Sequence, residues 1–319
     1  MAATPLQDLE TVEKTSLKDH AGLSFTDFRR GLSPRYTRVF LDLLLGYACL
    51  FLSLYVPFRL GLFFPRTLPL WVLMSGFSIG YWIAYLHLFM HEAAHYNIAP
   101  DRKWNDFLSN LFISSWSGQN TASYRAIHWD HHRFLGQPND TEHSYFNALN
   151  LRFLLGSLTG FSALKVVLFR GKKLEKQRTL LDRLMPAAGL ALNGLVVWAL
   201  IRMNARPFAL AWAMGIVLFF PFFGALRQLL EHRGEKADPR IDYSQVPHGK
   251  VSRMFKEGPL DSLLGAAGFT RHLLHHWDPQ ISYTRLAEVE RFLKDTELGA
   301  GLSTARTTYL RTFFKLFEW

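Results

Sequence analysis

Apolar residues gather into long runs along this chain, and the runs set the first expectations. A helix needs about 20 predominantly apolar residues to cross a bilayer, and four stretches approach or exceed that length. Residues 39–64 carry only Asp42 and Arg59, 68–90 and 184–201 carry no formal charge, and 208–230 carry only Arg227 near the end. The pattern predicts an all-α integral membrane protein with four transmembrane helices. Two further apolar stretches, 107–116 and 151–169, read as interfacial or re-entrant segments. The first is too short to cross and the second holds Arg152 and Lys165. Pro221, within Phe220-Pro221-Phe222-Phe223-Gly224, predicts either a kink that opens a lateral entry for a lipid or a membrane helix that simply tolerates Pro and Gly.

Charge tests this scheme. The 319 residues have a formal net charge of +10. With a cytoplasmic N-terminus, all 36 basic residues except Arg59, Arg66, Arg202 and Arg206 fall on the cytoplasmic side, as the positive-inside bias requires. A fifth span at 151–169 would strand Lys172, Lys173, Lys176, Arg178 and Arg183 outside, so the bias favours four spans and places both termini in the cytoplasm. The basic balance then calls for a bilayer and no nucleic acid. Residues 1–38 read as a cytoplasmic mobile tail with an interfacial segment near Phe25 and Phe28 and without the apolar core of a signal peptide. Residues 39–319 read as a single membrane domain. Within it, 277–319 reads as cytoplasmic helix, with Leu286, Val289, Phe292 and Leu293 along one apolar face. The lone Cys49 excludes an internal disulfide and any CxxC site. Metal ligands therefore have to be histidine or carboxylate.

Eight of the 13 histidines lie in three short clusters, at 91–95 (His91 and His95), 128–132 (His128, His131 and His132) and 272–276 (His272, His275 and His276). Positions three and four apart share a helix face, so each cluster offers two or three imidazoles to one point. All three fall on the cytoplasmic side of the four-span scheme. Eight imidazoles exceed what one ion takes, and two metal ions are the simplest count. His232, in Glu231-His232-Arg233-Gly234, is a ninth candidate. His87 reads as a supporting or core histidine, and His143, His20 and His248 as exposed ones. A metal-bound imidazole usually gives its other N–H to an acceptor, and Glu92, Asp130, Asp140, Glu231 and Asp278 are placed for that work. Trp82, Phe219 and Phe223 are candidates to line a substrate tunnel.

Several chemistries compete for these residues. His91-Glu92-Ala93-Ala94-His95 is the HExxH pattern of zinc metalloproteases, but that reading leaves five cluster histidines without a task. A carboxylate di-iron bundle needs two Glu-x-x-His motifs, and only Glu92-Ala-Ala-His95 fits. A metal carrier would need polar residues along a mid-span path, where only Asp42 and Asn193 stand. Imidazole-held metal beside an apolar bundle instead suits oxidation of an unactivated C–H bond in a lipid-like substrate.

At this point the chain resembles the membrane fatty acid desaturase superfamily, which includes carotenoid ketolases and hydroxylases and, more distantly, alkane hydroxylases. The resemblance rests on HxxxH at 91–95, HxxHH at 128–132 and HxxHH at 272–276, in that order between two pairs of spans, and covers roughly 40–290. Residues 283–293 are similar to the stretch that follows the third box. The resemblance implies a non-haem di-iron centre in a cytoplasmic cap, with O2 as co-substrate and a lipid or acyl-chain substrate. Electrons would come from a separate ferredoxin or cytochrome b5-type donor with its reductase. The implied ligands are His91, His95, His128, His131, His132, His272, His275 and His276. His232 is similar to an additional histidine found near the end of the fourth span in several branches. Desaturation is the expected reaction, with hydroxylation or ketolation on the same site as the alternative. Glu231-His232-Arg233-Gly234 is similar to a Glu-His-x-Gly element of alkane hydroxylases. The first box has three intervening residues where the stearoyl-CoA branch has four, which argues against an acyl-CoA substrate. No His-Pro-Gly-Gly haem motif occurs, so no fused cytochrome b5 domain is expected in this chain.

Overall fold

A computed structural model describes residues 9–160, 179–304 and 306–319. The part of the 151–169 stretch beyond residue 160, the basic residues Lys172, Lys173, Lys176 and Arg178, and the start of the N-terminal tail lie outside the described residues. Along the chain, α1 (Phe25–Arg30) leads to α2 (Tyr36–Phe63), α3 (Leu68–Ala94), α4 (Arg102–Phe112), α5 (Thr121–Phe134) and α6 (Leu151–Leu158). Then come α7 (Leu180–Arg202), α8 (Arg206–Met214), a π-helical turn over Gly215–Phe219 and α9 (Phe220–His232). Short elements follow: β1 (Met254–Phe255), α10 (Pro259–Leu264), α11 (His272–Trp277), α12 (Leu286–Lys294), α13 (Gly299–Thr304), β2 (Arg306–Thr307) and α14 (Tyr309–Leu316).

Among the described residues, four helices are long and apolar enough to cross a membrane: Tyr36–Phe63, Pro65–Ala94, Leu180–Arg202 and Arg206–His232. They match the four predicted spans, with ends shifted by a few residues. Their apolar side chains stay largely uncovered, with Leu44 65%, Phe51 63% and Leu190 77% exposed. Surface of that kind is expected where lipid is the solvent.

The described residues divide into two compact units. One comprises Phe40–His128 and Leu151–Leu226 and holds most of the apolar helices. Pro57 lies inside α2 and cannot donate to the carbonyl of Ser53 one turn earlier. That carbonyl accepts instead from Ser75 Oγ of α3 at 2.6 Å, so the freed group is satisfied by a neighbouring helix. Gly80 of α3 lies against the backbone of Phe219 and Phe220. A Cβ there would stand 2.7 Å from Phe219 C and Phe220 N, so only glycine permits the approach. Pro221, expected either to kink the helix or to be tolerated within it, is tolerated. It has no N–H to donate to Val217 one turn earlier, and a π-helical turn, Gly215–Phe219, precedes the segment that carries it. Asn193, one of the two mid-span polar residues, donates to the carbonyls of Trp116 (3.1 Å) and Gly189 (2.9 Å) and accepts from Trp212 Nε1 (3.0 Å). It is a helix clamp, which removes one of the two marks of a transport path. The apolar stretch at 107–116 falls largely on α4, which buries Asn105 and Ser109 and exposes Trp104, Phe107, Leu111 and Phe112.

The other unit takes in the residues through Val39, Trp129–Asn150 and those from Arg227 onward. Its core joins Phe25 to Trp277 (ring centroids 4.8 Å) and Phe292 (5.6 Å), and Phe28 stacks on Phe292 at 4.5 Å. Phe25 is 1% exposed, so the pair expected near a membrane interface instead packs on α11 and α12. Leu286, Val289, Phe292 and Leu293 are buried along one face of α12, as their spacing predicts. The predicted helix over 277–319 is not continuous. It breaks into α12, α13 and α14, and β2 pairs in parallel with β1, Met254 opposite Arg306 and Phe255 opposite Thr307.

Candidate metal centre

In the unit of long helices, His91 and His95 lie at the C-terminal end of α3 and His128 lies on α5. Their donor atoms fall within 4.8 Å of one another, and His95 Nε2 approaches His128 Nε2 at 2.9 Å. The local fold explains the convergence. α3 stops at Ala94, and Tyr96 adopts a left-handed backbone with φ 62°. The carbonyls left open at the helix end are taken by Arg125, which donates from Nη2 to Ala93 O and from Nε to Ala94 O, both at 3.0 Å. A cation at a helix C-terminus also meets the negative end of its dipole. The same guanidinium lies 3.8 Å from the centre of the Tyr96 ring and pairs with Asp106, while buried Asn105 donates to Ala93 O at 2.9 Å. Arg125 thus ties α5, three residues before His128, to the end of α3 that carries His91 and His95. No motif marks Arg125 in the sequence. Arg125→Met is expected to cost roughly 3 kcal/mol, the scale of lost charge-assisted hydrogen bonds, and to release metal from these three histidines. Thermal melting and metal content of the purified variant check this, and wild-type values for both would refute it.

Glu92, 1% exposed, accepts from Asn97 Nδ2 at 3.1 Å and lies 3.5 Å from His91 Nδ1. His87 has a supporting place, with Nε2 2.7 Å from Ser117 Oγ and its ring 4.6 Å from that of Phe220. Phe219 and Phe223 pack on Phe77 (5.5 and 4.9 Å), and Trp82 meets Tyr81 and Tyr85 edge-on (5.0 and 5.1 Å). The candidate tunnel residues therefore belong to an aromatic packing layer.

In the second unit, His131 and His132 come from α5, His232 from the end of α9, and His272, His275 and His276 from α11. The Nε2 atoms converge: His232 to His272 at 2.9 Å, His272 to His276 at 3.2 Å, and His132 to His275 at 3.1 Å. Donor atoms of His131, His232 and His276 lie within 4.8 Å of one another, as do those of Glu231, His232 and His272. The far-side partners fix the tautomers. His232 Nδ1 is 2.8 Å from the carbonyl of Val251, which can only accept, so Nδ1 carries the proton and Nε2 an exposed lone pair. His131 Nδ1 faces both oxygens of Asp140 at 2.9 and 3.0 Å, with the same consequence. Burial, reinforced by the neighbouring imidazoles, holds His272 and His276 well below the ordinary histidine range. They are neutral, the form that ligates. Converging nitrogen lone pairs, backed by far-side acceptors, fit a cation of the borderline class.

The carboxylates divide. Asp140, wholly buried, is the acceptor its position predicts, and it also accepts from Tyr145 Oη at 2.5 Å. Burial, then the charge of Asp140, pushes the Tyr145 phenol up and keeps it a donor. Among the described residues, Asp278 serves cations and no histidine. It takes Arg29 from the N-terminal segment in a two-point bond, at 2.7 and 3.1 Å, because α1 packs where the sequence offers no local sign of it. Asp130 is half-buried on α5. Glu231 sits on the donor side of His272, with Oε2 3.6 Å from Nε2. His248, expected to be exposed, lies half-buried against Tyr145 and Tyr243 at 5.3 and 4.6 Å, and burial brings its imidazole down to about 4. His143 is likewise half-buried, 5.3 Å from Phe146. His20 is exposed and pairs with Asp295.

With this geometry in hand, comparison with known proteins identifies the chain. A family model described as fatty acid desaturase matches residues 65–307, a range that includes all nine candidate histidines. The chain belongs to the fatty acid desaturase family. It is also similar to a zeaxanthin 4-ketolase of Chlamydomonas reinhardtii, 24% identical over 244 residues, which are 74% of this chain and 48% of the relative. The chain thus spans about half the length of that curated relative. The histidine clusters of this family member are compatible with a metal site.

Proposed function

We propose that the protein is a multi-pass membrane enzyme that uses O2 to desaturate an acyl chain or acyl lipid, with two non-haem iron ions held on its histidines. The convergence of buried, neutral imidazole Nε2 atoms on tautomers set by Asp140 and Val251 carries this reading. His131, His232, His272 and His276 would hold one ion and His91, His95 and His128 the other; His132 and His275, paired with each other, are further candidate ligands. Iron so held supplies the oxidation of an unactivated C–H bond by O2. In the net reaction the substrate loses two hydrogens from adjacent carbons, a ferredoxin or cytochrome b5-type donor adds two electrons, one per donor molecule, and solvent adds two protons, so that both oxygen atoms leave as water. The chain's own residues prepare for it. Asp140 and the Val251 carbonyl hold the Nδ1 protons of His131 and His232, Arg125 fixes α5 against α3, and burial of the histidines excludes bulk water. The positive-inside distribution supports a cytoplasmic face for the centre and both termini. A second reading, return of oxygen to the carbon as hydroxylation or ketolation, draws support from the similarity to a zeaxanthin 4-ketolase.

Lipids extracted from a host that expresses the chain with a ferredoxin and its reductase, beside a His131→Ala control, test the reaction by mass spectrometry. Species lighter by two hydrogens in the wild type alone are the expected result. Species gaining oxygen would overturn desaturation in favour of the second reading. A protein purified with zinc and without iron would reopen the HExxH reading.

A further inference from the structure

The family match ends at residue 307, yet the next helix reaches the metal centre. α14 is held at its start by Thr308, whose side chain accepts from Arg311 N, and by Asp261, which accepts from Tyr309 N at 2.7 Å. Its residues Tyr309, Thr312 and Leu316 are buried. The ring of Tyr309 stacks on Phe255 of β1 with centroids 3.7 Å apart and planes 8° from parallel. Beyond the helix the terminus is secured again, by Glu318 N to the Leu149 carbonyl at 2.8 Å and by the Arg233–Glu318 pair. So anchored, the Tyr309 hydroxyl donates to Glu231 Oε1 at 3.0 Å, and Arg227 Nε stands 3.4 Å from that same oxygen.

Glu231 has two oxygens with different surroundings. Oε1 is occupied by a phenol and a guanidinium. Oε2 lies 3.6 Å from His272 Nε2, the nitrogen that also faces His232 Nε2 and His276 Nε2. A carboxylate that merely accepted the far N–H of His272 would sit beside Nδ1, yet that atom is buried without a hydrogen-bond partner among the described residues. Glu231 is therefore on the side where the cation belongs. We propose that Tyr309, supplied by a C-terminal strap beyond the family-matched residues, is a positioning residue of this centre. It pins Oε1 of Glu231 so that Oε2 is presented as an oxygen donor beside His232 and His272. The proposal rests on the metal-centre reading above. It adds a carboxylate to the ligand set and assigns a role to a segment that the family pattern does not include.

The test is a double-mutant cycle on the purified full chain, with ferrous iron as the probe and chelator competition as the readout. Tyr309→Phe keeps the ring that stacks on Phe255 and removes only the hydroxyl. Loss of such a supporting partner is expected to weaken iron binding at one of two sites about tenfold with an unchanged melting temperature. The Mössbauer doublet of that iron should shift, because the oxygen donor moves. In the Glu231→Gln background, Tyr309→Phe should add little, since the hydroxyl acts through the carboxylate. Equal affinities and spectra for wild type and Tyr309→Phe would overturn the positioning role. So would effects of Tyr309→Phe and Glu231→Gln that simply add, the mark of a general structural contribution. A wild-type chain that binds no iron would overturn the metal-centre reading itself, and the role of Tyr309 with it.

Discussion

His131→Ala and His275→Ala are each expected to abolish turnover while the chain remains in the membrane. Neither residue lies within an apolar span, so insertion does not depend on it. Each removal takes a nitrogen from a set held at short range: His131 lies with His232 and His276, and His275 Nε2 is 3.1 Å from His132 Nε2. Loss of a mere supporting partner typically costs 10–100-fold in metal affinity or activity, so loss of a ligand itself should exceed about a hundredfold. Product formation per milligram of membrane-inserted protein, with iron content measured in parallel, is the check. Full activity in both variants would sink the di-iron assignment.

Asp140→Asn carries the next largest expected effect, and it acts without touching a ligand. The carboxylate accepts from both His131 Nδ1 and Tyr145 Oη, and also from Glu142 N. An amide of the same shape replaces one accepting oxygen with an NH2 donor. It then faces the imidazole or the phenol with a donor where an acceptor is required. If His131 loses its acceptor, the proton no longer prefers Nδ1 and Nε2 ceases to be a dependable lone pair. If Tyr145 gives way, the buried site loses a hydrogen bond and the negative charge that makes the imidazole a better ligand. Either route is expected to weaken metal binding by roughly 10–100-fold, read as iron retained against a chelator. Unchanged retention would remove Asp140 from the support of His131.

What could be read in the sequence was whatever depends on local spacing. The four spans follow from runs of apolar residues; helical spacing grouped the histidines into three clusters, but the expectation that each cluster serves one point does not hold, since His128 lies with His91 and His95 while His131 lies with His232 and His276. Asp140 could be proposed because it lies close to the second cluster in sequence. What escaped depends on partners far apart in the chain. Asp278 looked like a support for the third cluster, but Arg29, from the opposite end of the polypeptide, occupies it. Phe25 and Phe28 read as interfacial because nothing near them announces Trp277 and Phe292. Arg125 and Tyr309 have ordinary neighbours. Their importance lies in meeting a helix terminus and a carboxylate that are placed only by folding.

The two groups of donors also differ in when a ribosome delivers them. His91, His95 and His128 are all synthesised in the first half of the chain, on neighbouring helical segments. His131 must wait for His232 and His276, and Tyr309 comes later still. Chains generally fold from the N-terminus as they are made, so the first group can exist once His128 has been made, whereas the second has to wait for His276. On the di-iron reading proposed above, metal would reach that second group only after His276 has been made. A transcript truncated after the fourth span would yield a protein that inserts normally and is born unable to assemble its second site.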